Sequence, residues 1–220
     1  MLDKERLLEI IRDGIIFDGG VKKVARPNQY FALKAAQPRI REKDSGIIWH
    51  SQGSGKSLTM VWLAKWIHRE VKDSRIIVIT DRDELDKQIF ERFQVTGEDD
   101  VQRATSGKQL IKMLDKSADP WLITTLIHKF GSSARGGKEA KEGEVTIDMF
   151  LEELRANLPR GFKAKGNIFV FVDECHRTQR GKLNRAMKEI LGQDVMFIGF
   201  TGTPLLKQDK NTLTSKDNFG

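Results

Sequence analysis

The stretch His50-Ser51-Gln52-Gly53-Ser54-Gly55-Lys56-Ser57 carries the residue types that hold a polyphosphate. Gly53 and Gly55 can adopt the positive φ values that turn successive backbone N–H groups inward, with Gln52 and Ser54 in the same loop. Lys56 brings a cation within reach of β- and γ-phosphates, and the Ser57 hydroxyl completes the shell of a Mg²⁺ ion. The general pattern opens on glycine, and here His50 takes that place. Such a loop needs a strand before it and a helix after it, whose positive N-terminal end adds to the anion field. Gly46 to His50 reads as the strand, and Leu58, Val61, Trp62, Ala64 and Lys65 open the helical stretch. Trp62 and Trp66, four residues apart, read as packing. A second glycine-lysine pair, in Ser106-Gly107-Lys108-Gln109, lacks the hydroxyl after the lysine and reads as a helix start.

Two carboxylates, Asp173 and Glu174, follow the apolar run Ile168 to Val172. A buried strand delivers them to the carboxyl edge of its sheet, where open α/β folds bind ligands and where the phosphate loop also leaves its strand. Asp173 can join the Mg²⁺ shell, and Glu174 can orient and deprotonate a water. The plainer alternative for the pair is a helix N-terminus that favours acidic residues. Cys175, between these candidates and His176, reads as a small packing residue.

The elements that must position these groups follow from apolar patterning. Residues 46–50, 75–80, 121–125, 167–172 and 194–200 are apolar at successive positions rather than at alternate ones, as in strands buried on both faces. Between them lie helical stripes, Leu85-Ile89-Phe93 and Leu183-Met187-Ile190-Leu191. Strand and helix in alternation predict a doubly wound, mainly parallel α/β sheet over residues 46–206. Residues 1–45 read as two helices, the second opened by Pro27. Residues 131–145 read as a polar, glycine-rich surface loop and residues 207–220 as a polar tail.

Composition narrows the class of protein. The 220 residues hold 38 Lys and Arg against 31 Asp and Glu, a net charge of +7 that suits an anionic partner and equally a plain soluble surface. One cysteine excludes an internal disulfide framework and a Cys-rich zinc site. Unbroken apolar runs such as Ile168 to Val172 have five residues, against the roughly 20 that span a bilayer. No secretory leader pattern is present in residues 1–13, so a cytoplasmic location and no membrane partner are expected.

The loop 52–57, the box Asp173-Glu174-Cys175-His176 and the run Thr201-Gly202-Thr203-Pro204 occur in that order, which resembles the first motor domain of superfamily 2 helicases and translocases. The wording Ile48-Trp49-His50 before the loop, Val78 to Asp86, Thr124-Thr125 with Lys129-Phe130, and Phe200 to Leu205 resembles the R subunit of type I restriction enzymes more closely. Histidine in the first loop position is ordinary there. The resemblance implies a P-loop, RecA-like domain that uses ATP and Mg²⁺ and translocates duplex DNA ahead of endonuclease cleavage. Modification and specificity subunits would be its partners.

The resemblance also assigns residues. Gln29 reads the adenine edge with Arg26 nearby, in a run, Arg26 to Tyr30, that resembles the family's adenine-reading segment. His176, Thr201, Gly202 and Thr203 couple the γ-phosphate state to movement. Thr80, Arg82, Thr124, Thr125 and Lys129 lie in segments that touch the DNA backbone in relatives, a role hydroxyls and cations suit. No nuclease constellation is found in residues 1–45, and no second motor domain with its arginines follows, so half of an ATPase site is expected here, in a fragment or truncated product. Two other functions remain open at this level: an unwinding helicase of the same superfamily, and a non-catalytic nucleic-acid-binding module with ATP as a structural ligand.

Overall fold

Strands with no polar face have nothing to offer water, and they collect as the middle of a parallel sheet. A computed structural model describes residues 3–80, 83–96, 100–115, 120–127, 146–173 and 180–202. Among these, the chain runs α1 (Lys4–Asp13), β1 (Ile15–Asp18), β2 (Val21–Val24), α2 (Pro27–Arg41), β3 (Gly46–Trp49), α3 (Lys56–Glu70) and β4 (Ser74–Thr80). It continues through α4 (Asp83–Val95), β5 (Val101–Ala104), α5 (Gly107–Asp115), β6 (Leu122–Leu126), α6 (Thr146–Ala156), β7 (Asn167–Val172), α7 (Arg180–Leu191) and β8 (Met196–Thr201).

Six of the described strands form one sheet in the order β3-β8-β7-β4-β6-β5. Every pairing in it is parallel. All seven positions of β4 are buried. Alternation along that strand splits the core: Ile76 and Val78 join one cluster with α3 residues such as Met60 and Leu63, while Ile77 and Ile79 join another with Phe150 of α6 and Met187 of α7. The fold is therefore the doubly wound α/β sheet that the apolar runs imply.

Differences lie at the rims. β3 is an edge strand, so it keeps an open side, and Trp49 is 60% exposed. β5, Val-Gln-Arg-Ala, lacks the apolar run that marks the other strands. It holds the opposite rim, where Arg103 pairs with the fully buried carboxylate of Asp86 from α4. Residues 1–45 contain more than two helices, because β1 and β2 pair as an antiparallel hairpin between α1 and α2. Gly19 and Gly20, both at positive φ, make its two-residue turn. An Arg92–Asp18 ion pair ties the hairpin to α4. The loop and tail expected at 131–145 and 207–220 lie outside the described residues. Among the described residues no helix is long and apolar enough to cross a membrane.

One buried cation sets the lower side of the sheet. Arg75 in β4 is 2% exposed, and its guanidinium donates to the carbonyls of Met113, Leu114 and Pro120 at 2.7–3.3 Å. The first two belong to the last turn of α5, whose carbonyls have no partner within the helix. Arg75→Met keeps the apolar stem and removes the donor to the Met113 and Pro120 carbonyls, while the Leu114 carbonyl keeps the Lys165 N–H. A loss of about 3 kcal/mol is expected, because buried polar groups left without partners cost about 1–3 kcal/mol each. A lower urea midpoint at unchanged m-value would report it.

Candidate functional site

β3 ends at Trp49, residues 50–55 form a loop, and α3 begins at Lys56. The loop is tight: Ser54 N–H and Oγ–H both donate to the Ser51 carbonyl, at 3.2 and 2.6 Å. Gly53 has φ 74° and Gly55 φ 85°, the left-handed region that side chains resist. Gly55 is the N-cap of α3. Among the described residues no side chain caps this helix, and its first turn holds no acid. The positive end of the helix therefore faces the loop, which favours an anion there. Lys56 and Ser57, both half-buried, occupy that first turn.

The far side of the loop is built by β8. The His50 N–H donates to the Thr201 carbonyl at 3.0 Å, and Trp49 Nε1–H donates to the Gly202 carbonyl at 3.2 Å. A Cβ on Gly202 would lie 3.3 Å from Gln52 Cγ and 3.4 Å from Lys56 Nζ. The lysine ammonium therefore lies close to the end of β8. The His50 imidazole is buried beside this lysine. Burial pushes its pKa below the usual 6.5, the Lys56 charge adds to that, and the Asn28 backbone opposes both. The ring is thus neutral at pH 7.

β7, the strand next to β8, is followed directly by Asp173, which is 5% exposed and donates its N–H to the Ile79 carbonyl at 3.1 Å. Lys56, Gly202, the buried Thr201 and Asp173 consequently share the carboxyl edge of neighbouring strands. The Ser57 hydroxyl and the Asp173 carboxylate are hard oxygen donors, the chemistry that Mg²⁺ prefers. An ion bound mainly by phosphates and water needs only one or two such groups. Accordingly, a cage of three acids or histidines is not required, and none is found among the described residues.

Gln29 is placed differently from the sequence expectation. It is 2% exposed, and its amide is engaged at both ends within the protein. Oε1 accepts from the Arg26 N–H at 2.9 Å, while Nε2 donates to the Ser54 and Gly55 carbonyls at 3.2 and 3.1 Å. In this conformation the side chain braces the loop, with its amide N–H groups directed at the Ser54 and Gly55 carbonyls. Arg26, exposed just before α2, remains beside it.

Thr80, Thr124 and Thr125 lie inside the sheet in this structure. All three are buried, and Thr125 Oγ1 donates inward to the Ala104 carbonyl at 3.2 Å. They end or occupy β4 and β6, central strands with no surface, so their hydroxyls present nothing to a duplex. Arg82, Lys129, Glu174, His176 and Thr203 lie outside the described residues. The triplet at Ser106 is a helix start: Ser106 Oγ accepts from the Gln109 N–H at 3.2 Å at the head of α5.

Comparison with known proteins adds a family to this geometry. Residues 28–220 match the model of the SWI2/SNF2 ATPase family. Over its whole length the chain is 31% identical to the type I restriction enzyme HindI endonuclease subunit of Haemophilus influenzae, of which it covers 21%. A putative type I restriction endonuclease subunit of Methanocaldococcus jannaschii is 29% identical over 96% of the chain and 19% of its own length. The chain thus spans about a fifth of the length of these relatives. Among solved structures, the UvsW helicase of bacteriophage T4 superimposes with TM-score 0.62 at 13% identity, covering 99% of this chain and 66% of that one. The SWI2/SNF2 ATPase core of Sulfolobus solfataricus does so with TM-score 0.55 at 18% identity, over 82% and 32% of the two chains. These likenesses establish the fold.

Proposed function

The chain belongs to the SWI2/SNF2 ATPase family, and on that premise we propose that it is the ATP-binding first motor domain of the R subunit of a type I restriction-modification enzyme. The subunit would spend ATP to move duplex DNA before cleavage. The observation that carries the nucleotide reading is the approach of Lys56 Nζ to Gly202 at the end of β8, one strand from the buried Asp173. Similarity to type I restriction endonuclease subunits over nearly the whole chain supports the choice among ATP-driven motors.

In this reading the N–H groups of the glycine loop and the N-terminus of α3 bind the β-phosphate, and Lys56 spans the β- and γ-phosphates. Ser57 and Asp173 would hold Mg²⁺, which when bound neutralises charge on the phosphate oxygens. Glu174 orients a water whose oxygen attacks the γ-phosphorus. The bond from that phosphorus to the β–γ bridging oxygen breaks, and the water proton passes to the Glu174 carboxylate. Thr201, Gly202, Thr203 and His176 respond to the state of the γ-phosphate. Duplex DNA, with the modification and specificity subunits, completes the assembly in the cytoplasm.

The test is Glu174→Gln in the R subunit that contains this chain. An amide can still hold the water but cannot take its proton. DNA-stimulated ATP hydrolysis should fall by roughly 10³-fold, as expected when a general base is lost, while binding of a fluorescent ATP analogue stays within about twofold. Normal hydrolysis in this variant would remove the proposed base. Strand separation by the intact subunit would favour an unwinding helicase instead.

A further inference from the structure

Thr80 is the last residue of β4, and β4 lies beside β7. Ile79 pairs with Val172, and the Asp173 N–H donates to the Ile79 carbonyl at 3.1 Å. In a parallel ladder that bond makes Thr80 the register partner of Asp173. The two side chains therefore rise from adjacent strands about 4.8 Å apart on the same face. It is the face of Val78 and Phe171, whose side chains join the cluster formed with α3.

Thr80 is 1% exposed, and its Oγ1 has no hydrogen-bond partner in the structure. Four consecutive positions before it, Ile76 to Ile79, are aliphatic. Valine would fill the same volume as Thr80 without burying an unsatisfied hydroxyl. The polar group is therefore a cost to the fold as it stands, and it sits beside a carboxylate that the nucleotide reading makes a metal ligand.

We propose that Thr80 is a positioning residue for Asp173: when a metal-nucleotide binds, its hydroxyl turns to donate to the carboxylate, a bond the structure does not yet make, and fixes the rotamer in which Asp173 serves the metal. The proposal rests on the reading of this edge as a Mg-nucleotide site. It gives the buried hydroxyl an acceptor.

The experiment compares the full chain with Thr80→Val and Thr80→Ser, using binding of a fluorescent ATP analogue in EDTA and across a Mg²⁺ titration. Thr80→Val should bind in EDTA as the unmodified chain does but require roughly tenfold more Mg²⁺ for half-saturation, the size of one charge-assisted hydrogen bond. Thr80→Ser, which keeps the hydroxyl, should restore the Mg²⁺ requirement. Should Thr80→Val fail to fold, Thr80→Ala must show the same selective rise. An unchanged Mg²⁺ requirement in the variant, or an equal loss with and without metal, would overturn the proposal while leaving the nucleotide site intact. Absence of binding by the unmodified chain in both conditions would instead overturn the nucleotide reading and this inference with it.

Discussion

Lys56→Ala is expected to abolish measurable nucleotide binding while leaving the fold as stable as before. The ammonium rests against the backbone of Gly202, where a Cβ would come within 3.4 Å of it. It is the cation placed between the loop and the end of β8. Removing it takes away the side-chain cation that the reading assigns to the β- and γ-phosphates. Truncating one member of a desolvated charge pair costs about 3 kcal/mol or more, roughly a hundredfold or more in Kd. The fold should not notice, because Lys56 is half-buried in the first turn of α3 and alanine is the best helix former. Equilibrium titration with an ATP analogue, beside a thermal melt, separates the two effects. A Kd within threefold of the unmodified chain, with an unchanged melt, would place the phosphates elsewhere.

The centre of the sheet was legible in the sequence because burial on both faces leaves a plain mark. The runs that became β4, β6, β7 and β8 have no polar alternation, and none is needed where helices cover both sides. The β5 rim escaped because that strand answers to local partners. β5 is held by pairing to β6 and by Arg103 on Asp86, neither of which a hydropathy pattern reveals. The β1–β2 hairpin was signalled only by Gly19-Gly20, a turn pair between segments of four residues each.

Residue types fixed the phosphate loop well, since positive φ at Gly53 and Gly55 is a backbone demand that few other residues meet. The roles of Gln29, Thr80, Thr124 and Thr125 were less accessible. Each depends on which way a side chain turns, into the loop or into the sheet, and spacing along the chain is silent about that.

Gly55→Ala should damage the molecule in a way that Gly53→Ala does not, although both residues hold positive φ. At Gly53 an added Cβ meets nothing within 4 Å, so the expected cost is backbone strain alone, about 1–2 kcal/mol for a left-handed alanine. At Gly55 the same strain applies, and the Cβ would also lie 2.5 Å from Gln29 Nε2. The amide must then retreat from the Ser54 and Gly55 carbonyls, and the brace beneath the loop is lost. Adding one or two hydrogen bonds at about 1 kcal/mol each brings the expected total to about 3 kcal/mol. A double-mutant cycle with Gln29→Ala isolates the second part. If the clash operates as described, the two losses fall short of additivity by about 1–2 kcal/mol, because Gly55→Ala has already forfeited the bonds that Gln29→Ala deletes. Full additivity in urea denaturation would mean that Gln29 and the loop do not support each other, and the loop would then owe its shape to its glycines and to Ser54 alone.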